Sequence, residues 1–259
     1  MDRIYEELIA GIPGDITAER VALGPGWMLV EASCGCGAAS VYDGGQHPTG
    51  RAVQYEGKTL RELGGLIDSP VLAEQGISVA AINAYYNQFT YLENLEQQGK
   101  VTIDTTSNSF IEYGKMVEGK DVTFVGHFCG LEQHMAKAGS VSILEKRPQP
   151  GDIPAEKCDE VIPGMDYVFM TGATLANGTA NHLLELCGMK DNTKAVFVGP
   201  TTTMAETVFR HGAAELSGMV ITDAEAALEA VLSGDHKAIF ATGQKLRVIG
   251  LTPKSGERE

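Results

Sequence analysis

Short apolar runs separated by small polar turns organise the second half of the chain. Tyr167-Val168-Phe169-Met170 has no polar interruption, as in a strand buried on both faces. Thr171-Gly172-Ala173-Thr174 ends that run, and Asn177-Gly178-Thr179 suits the opening of a helix. Ala180, Leu183, Leu184 and Cys187 then recur at i, i+3, i+4 and i+7, with Gly188 as the stop. The same order appears on either side. Val122–Val125 leads into Gly126-His127-Phe128-Cys129-Gly130 and a short helix from Leu131. Ala195–Val198 leads into Gly199-Pro200-Thr201-Thr202-Thr203 and a helix from Met204, where Thr203 and Glu206 have capping-box spacing. A further strand is expected at Val141–Leu144, and two more at Gly218–Thr222 and Lys245–Leu251. Between Gly218–Thr222 and Lys245–Leu251, Asp223 caps an alanine-rich helix that Gly234 ends. Such repetition predicts an α/β fold, a mainly parallel sheet with helices on both faces. The strands at Val122, Val141, Tyr167 and Ala195 should lie adjacent or one apart. Lys146–Gly164 carries Pro148, Pro150, Pro154 and Pro163, so that crossover should be mostly irregular. Pro253–Glu259 reads as a frayed polar tail.

The first half has a different pattern. Residues 1–10 form an amphipathic helix, and Ile16–Leu23 and Trp27–Cys34 form a hairpin across Gly24-Pro25-Gly26. Gly35–Tyr42 is a third strand and Asp43–Gly50 a loop. Thr59 and Glu62 have capping-box spacing, and Ser69-Pro70 places a cap and an N1 proline before the next helix. Ile77–Gln88 is the strongest helix here, with Ile77, Ala80, Ala81, Ala84 and Tyr85 on its apolar face and Asn83 and Asn87 on another. A hairpin followed by helices is an α+β pattern. The boundary is set between a smaller domain over 1–98 and a parallel-sheet domain over 99–259, which Ser109–Glu118 enters as a linking helix.

Composition narrows the partners. The 259 residues carry a formal net charge of −14 and no basic run, which argues against nucleic acid. No apolar stretch approaches a membrane span, and residues 1–10 lack the apolar core of a signal peptide. An odd count of five cysteines suits free thiols in a reducing cytoplasm.

Turns that follow parallel strands gather at one sheet edge, where ligands bind. Gly126, Phe128, Thr171, Gly172, Thr174, Asn177, Thr179, Pro200 and Thr201 are therefore the candidate ligand-binding residues. Their neutral hydrogen-bonding groups suit a polar small molecule or an anion at helix N-termini. His127 and Glu145 are the candidates for chemistry. Glu145 lies about 20 residues after Gly126, where an acidic residue holds a ribose in nucleotide-binding folds, although no G-x-G-x-x-G is present. The solvated charge at a strand end is the readier reading of Glu145, whereas His127 reads equally as a histidine bonded to its loop. Asn83 is expected to close the site from the first domain, across the boundary. His134 reads as a packing residue, His211 as a cation at a helix end, Cys187 as core and Cys158 as exposed. Cys129 borders the site. Cys34 and Cys36, two apart on a strand, could share one soft metal but do not complete a site, and are read as structural.

GPGWMLVEAS, AAINAYYN at Ala80–Asn87, VGHFCGL at Val125–Leu131, TGATLANGT at Thr171–Thr179 and VGPTTT at Val198–Thr203 together resemble a known family. That family is named for putative heavy-metal chelation, and its members join an enolase N-terminal-like domain to a Rossmann-like domain. The resemblance implies this two-domain fold and a ligand site between the domains that takes a metal, a metal chelate or a chelator-like metabolite. The alternative is an enzyme acting on a nucleotide-like or heterocyclic small molecule. Neither reading names a cofactor or a set of metal ligands, and self-association is left open.

Overall fold

The computed structural model describes residues 1–41, 47–106, 109–128 and 130–251. Tyr42, the first half of the 43–50 loop, Cys129 and the expected tail lie outside the described residues.

The chain opens with helix α1 (Arg3–Gly11), strands β1 (Ala18–Leu23), β2 (Trp27–Ala32), β3 (Gly35–Ser40) and β4 (Gly50–Arg51), then helices α2 (Leu60–Gly64), α3 (Leu72–Tyr86) and α4 (Phe89–Gln97). The four strands pair antiparallel in the order β3-β2-β1-β4. The Thr59–Glu62 capping box forms as expected and opens α2. Ser69 does not cap α3, which begins at Leu72 with Val71 as its N-cap. The Ser69 hydroxyl instead accepts from the Val71 N–H at 3.1 Å and bonds the Glu74 carboxylate.

The second part begins with an unexpected strand, β5 (Val101–Asp104), and the expected helix α5 (Ser109–Met116). Next come β6 (Asp121–Val125), β7 (Ser140–Glu145), β8 (Ile153–Pro154), α6 (Cys158–Val161), β9 (Tyr167–Thr171), α7 (Ala173–Ala176) and α8 (Ala180–Cys187). The chain continues through β10 (Lys194–Val198), α9 (Glu206–Arg210), β11 (Ala213–Ile221), α10 (Ala224–Ser233) and β12 (Gly243–Gly250). Eight strands form one sheet in the order β5-β12-β11-β10-β9-β6-β7-β8. From β11 to β8 every pairing is parallel, while β12 pairs antiparallel with both β11 and β5. The strands at Ala195, Tyr167, Val122 and Val141 are adjacent in that order, as the repeated pattern predicts. Counted from β6, the parallel strands run 3-2-1-4-5-6, the Rossmann order, with its switch point between β6 and β9.

Alternation along the central strands explains why they read as unbroken apolar runs. Val168, Met170, Ala195 and Phe197 join one core with Leu183 and Leu184 of α8. Phe169, Val196 and Val198 join another with Tyr113 and Val117 on the side of α5. The antiparallel sheet is also covered twice. Helix α3 lies on one face, and Ala227, Ala230 and Val231 of α10 reach across from the second part to Ala22, Trp27, Leu29 and Cys36 on the other.

Two expected helix starts change. Leu131 opens no α-helix, since among the described residues the connection from β6 to β7 holds only a 3-10 turn at Glu132–His134. A 3-10 turn rises about 2.0 Å per residue against about 1.5 Å for an α-helix, which suits so short a return across the sheet. His134 is consequently exposed rather than packed, with its ring 6.4 Å from that of Phe110. Thr203 and Glu206 form no capping box either: α9 has Ala205 as its N-cap, and the Thr203 hydroxyl is engaged elsewhere.

Candidate functional site

A cavity of about 350 Å³ opens at the switch point, where β6, β7 and β9 end. Gly126, Glu145, Thr171, Thr174, Asn177 and Thr179 line it. Val125, Leu144, Ala155 and Leu183 give it apolar walls, and Lys146, Cys158 and His182 add polar groups. All of its lining comes from residues 125–183, so it sits within the parallel-sheet part rather than between the two parts. A more open depression of about 510 Å³ lies at the opposite edge, beside Asp191, Arg210 and His211 where β10 and β11 begin. The smaller cavity is the better candidate despite its size, because strand C-terminal ends and the switch point meet there.

Local backbone chemistry holds the cavity wall in place. The Thr174 hydroxyl donates to the Thr171 carbonyl at 2.7 Å, turning the chain off β9. Asn177 Oδ1 accepts from the Thr179 hydroxyl at 2.7 Å, which shapes the approach to α8. Gly126 has φ +94°, and a Cβ there would stand 3.1 Å from Thr171 Cγ2, so a side chain would be strained and would crowd the wall. Glu145 is half-buried, and its carboxylate accepts from the Arg147 N–H at 3.1 Å.

The other expected residues fall elsewhere. His127 is absent from the lining: its Nε2 stands 2.9 Å from Asp152 Oδ2. Asp152 also accepts from the Gln149 N–H at 2.7 Å, so the pair ties the proline-rich crossover to the turn after β6. The His127 bond, then the Gln149 N–H, hold the Asp152 carboxyl below the usual carboxylate range. Phe128 is buried against Phe124, with ring centroids 5.9 Å apart. Gly172 marks a close approach between turns, since a Cβ there would stand 2.4 Å from the Thr202 backbone nitrogen. Pro200 and Thr201 are buried in the turn after β10.

That turn is where α3 docks. Asn83, fully buried, donates from Nδ2 to the Ala38 and Thr201 carbonyls, each at 3.0 Å, and its Oδ1 accepts from the Thr203 hydroxyl at 2.6 Å. Asn87 donates to the Thr202 carbonyl at 2.9 Å and accepts from the Met204 N–H at 2.8 Å. The Ser40 N–H donates to the Thr201 hydroxyl at 2.9 Å. The asparagine face of α3 thus meets protein, and Asn83 and Thr201 belong to an interface rather than to the cavity. Among the described residues the buried Thr202 hydroxyl finds no partner in this interface.

Cys158 and His182 are residues that sequence reasoning missed here. Together with Asp159 they are the one group of ligand-type side chains, among the described residues, whose donor atoms lie within 4.8 Å of one another. His182 Nε2 is 3.0 Å from Asp159 Oδ1, and Cys158 Sγ is 3.8 Å from Asp159 Oδ2. Burial, then the neighbouring Asp159 charge, push the Cys158 thiol up. Nothing in the spacing of Cys158 and His182 signals this meeting, since α6 and α8 bring it about. Cys34 and Cys36 do not converge. Cys34 sits in the turn before β3, its thiol 3.5 Å from the Ala84 carbonyl, whereas Cys36 is buried beneath α10. His211 ends α9 beside Glu7, at 3.4 Å.

The fold and cavity define a two-part α/β protein with Rossmann strand order and a small-molecule-sized cavity at its switch point. Two family models, both described as putative heavy-metal chelation, match residues 110–249 and 5–86, and the chain belongs to that family. It is similar to a crystal structure of a protein of unknown function from the DUF364 family of Desulfitobacterium hafniense. That likeness has a TM-score of 0.82 at 30% identity and covers 95% of this chain and 97% of the other. A DUF364-family protein of unknown function from Pyrococcus horikoshii shares the fold, with a TM-score of 0.74 at 20% identity over 96% and 98% of the two chains. An uncharacterized protein of Methanocaldococcus jannaschii is 27% identical over 194 residues, 73% of this chain and 70% of that one. No described helix is long and apolar enough to cross a membrane.

Proposed function

We propose that the protein binds a metal chelate or chelator-like metabolite in the cavity at the ends of β6, β7 and β9. The observation that carries this reading is the lining itself. Val125, Leu144 and Leu183 offer apolar walls to an organic ligand, while Glu145, Lys146, Thr174 and Asn177 offer charge and hydrogen bonds to its polar groups. The family description favours a metal as part of the cargo, and free thiols suit a reducing cytoplasm. Titration with zinc, cobalt and nickel, each alone and as a bipyridine complex, tests the reading by calorimetry and absorbance. A complex should bind the native protein and bind more weakly to Glu145→Ala at an unchanged thermal midpoint. Equal binding by the variant, or none by either protein, rejects the cavity as the site.

A second reading has one observation in its favour. His127, next to the lining residue Gly126, forms a histidine–carboxylate pair with Asp152, a unit suited to proton transfer, and Glu145 ends the second strand of the Rossmann order. An enzyme acting on a nucleotide-like or heterocyclic molecule would use both. Among the described residues the turn after β6 leads into a 3-10 turn and no α-helix, so they offer no helix N-terminus of the kind that holds a pyrophosphate in dinucleotide folds. A nucleoside or free heterocycle therefore fits this reading better than a dinucleotide. Turnover abolished in His127→Ala, with metal affinity unaffected, would favour the enzyme.

A further inference from the structure

We propose that Cys158, Asp159 and His182 form a binding site for a borderline divalent cation of the zinc or cobalt type at the mouth of the cavity. The inference rests on the cavity reading above and assigns ligands to its metal.

The donor set comes first. A thiol, an imidazole and a carboxylate together suit zinc and its neighbours in the first transition row, and not magnesium or calcium, which take oxygen alone. Distances agree with this. Zinc bonds of about 2.0–2.3 Å at tetrahedral angles set neighbouring donor atoms about 3.3–3.7 Å apart. The 3.0 Å and 3.8 Å separations run from His182 and Cys158 to the two different oxygens of the Asp159 carboxylate, and one ligand atom from each of the three residues falls within 4.8 Å of the others. Small side-chain rotations would close the set around one ion.

The supporting elements are rigid where they need to be. Cys158 and Asp159 open α6, which packs on α8 and runs straight into the fully buried Ile162. His182 lies between Ala180 and Leu183 on α8, both buried. The ligand side chains themselves stay accessible: His182 is 54% and Asp159 61% exposed. A plain ion pair would explain Asp159 and His182, at about 0–1 kcal/mol. It does not explain why the Cys158 and His182 side chains, 24 positions apart in the chain, both line the cavity at the switch point. Three protein ligands leave a coordination position open, as in zinc sites that act on a further ligand. A chelator seated against Glu145 and Thr174 could fill it from the cavity side.

Cobalt(II) alone is the probe, because a thiolate ligand gives it a charge-transfer band. The full-length protein, freed of metal by dialysis against a chelator, should bind one cobalt ion with that band. Cys158→Ser should lose the band. His182→Ala should weaken binding by at least the roughly 10–100-fold that loss of an outer partner costs a metal site. Both side chains reach the surface of short helices, so circular dichroism should be unchanged and separates loss of a ligand from loss of fold. A band that persists in Cys158→Ser, native affinity in His182→Ala, or no band in the native protein overturns the assignment. Because no organic ligand is present, a failure here leaves the cavity reading standing. A cavity that takes no chelator would leave the cobalt band in place.

Discussion

The turns after β9 and β10 are built from the same kinds of residue and meet opposite fates. Thr171-Gly172-Ala173-Thr174 and Gly199-Pro200-Thr201-Thr202-Thr203 both follow buried parallel strands and both present hydroxyls at the same sheet edge. At β9, Thr171 and Thr174 line an open cavity. At β10 the hydroxyls and carbonyls of Thr201, Thr202 and Thr203 face α3 and β3, where Asn83, Asn87 and Ser40 bond most of them. Polar residues at a strand end show that something polar must be met there, because buried polar groups need partners. They do not show whether that partner is a ligand or another part of the chain.

Breaking the occupied turn should have the largest effect. Asn83→Ala leaves the Ala38 and Thr201 carbonyls and the Thr203 hydroxyl without their partner in a buried interface. A loss of about 3 kcal/mol is expected, read as a lower midpoint in urea, because each orphaned buried group costs about 1–3 kcal/mol. Gly172→Ala tests the seam between the two turns. Its new methyl would meet the Thr202 backbone at 2.4 Å, so one turn must move, at about 1–3 kcal/mol. A midpoint unchanged in either variant would mean that the turn after β10 is not held as described.

The open turn should behave in the contrary way. Asn177→Ala removes only local bonds to Thr179, and Glu145→Ala only one to the Arg147 N–H, so each should change stability by about 0.5 kcal/mol or less. Their effect should instead appear in ligand affinity. If Glu145→Ala unfolds as readily as Asn83→Ala, the cavity wall is structural and the contrast between the turns fails.

The smallest effect at neutral pH concerns the thiols. Burial pushes Cys36 and Cys187 up to about 12, so both are neutral and shielded. Iodoacetamide at neutral pH should label half-buried Cys158 in the folded protein, and Cys36 and Cys187 only on unfolding. The same shift fixes a sign. These thiols hold their protons more tightly folded than unfolded, so their contribution to stability is level below about 9 and falls as pH rises from 9 to 12. Stability rising over that range would contradict their burial.

The parallel sheet was legible in the sequence because strands covered on both faces must be apolar at every position. Tyr167–Met170 and Ala195–Val198 have no alternation to hide them. Caps were legible where the bonding is local: Thr59 with Glu62, and Asp223, whose carboxylate accepts from the Ala226 N–H. The same spacing failed at Thr203 and Glu206, because the Thr203 hydroxyl had a partner on α3 that no local pattern reveals. Strand β5 was missed because it is a short antiparallel edge, without the apolar run that marks the centre of the sheet.

The candidate site divides along the same line. By itself the sequence determined which strand ends carry polar groups, since that depends on neighbours along the chain. From that pattern Gly126, Glu145, Thr171, Thr174, Asn177 and Thr179 could be gathered at one sheet edge, and the structure brings these to one cavity. Only the tertiary structure decided that α3 would spend its asparagines on the turn after β10, and that His127 would bond Asp152. It alone brought Cys158 and Asp159, within the proline-rich crossover, to His182. A side chain's chemistry belongs to its residue, but its partner is chosen by helices and turns distant in the chain, which meet because their apolar faces have nowhere else to be buried.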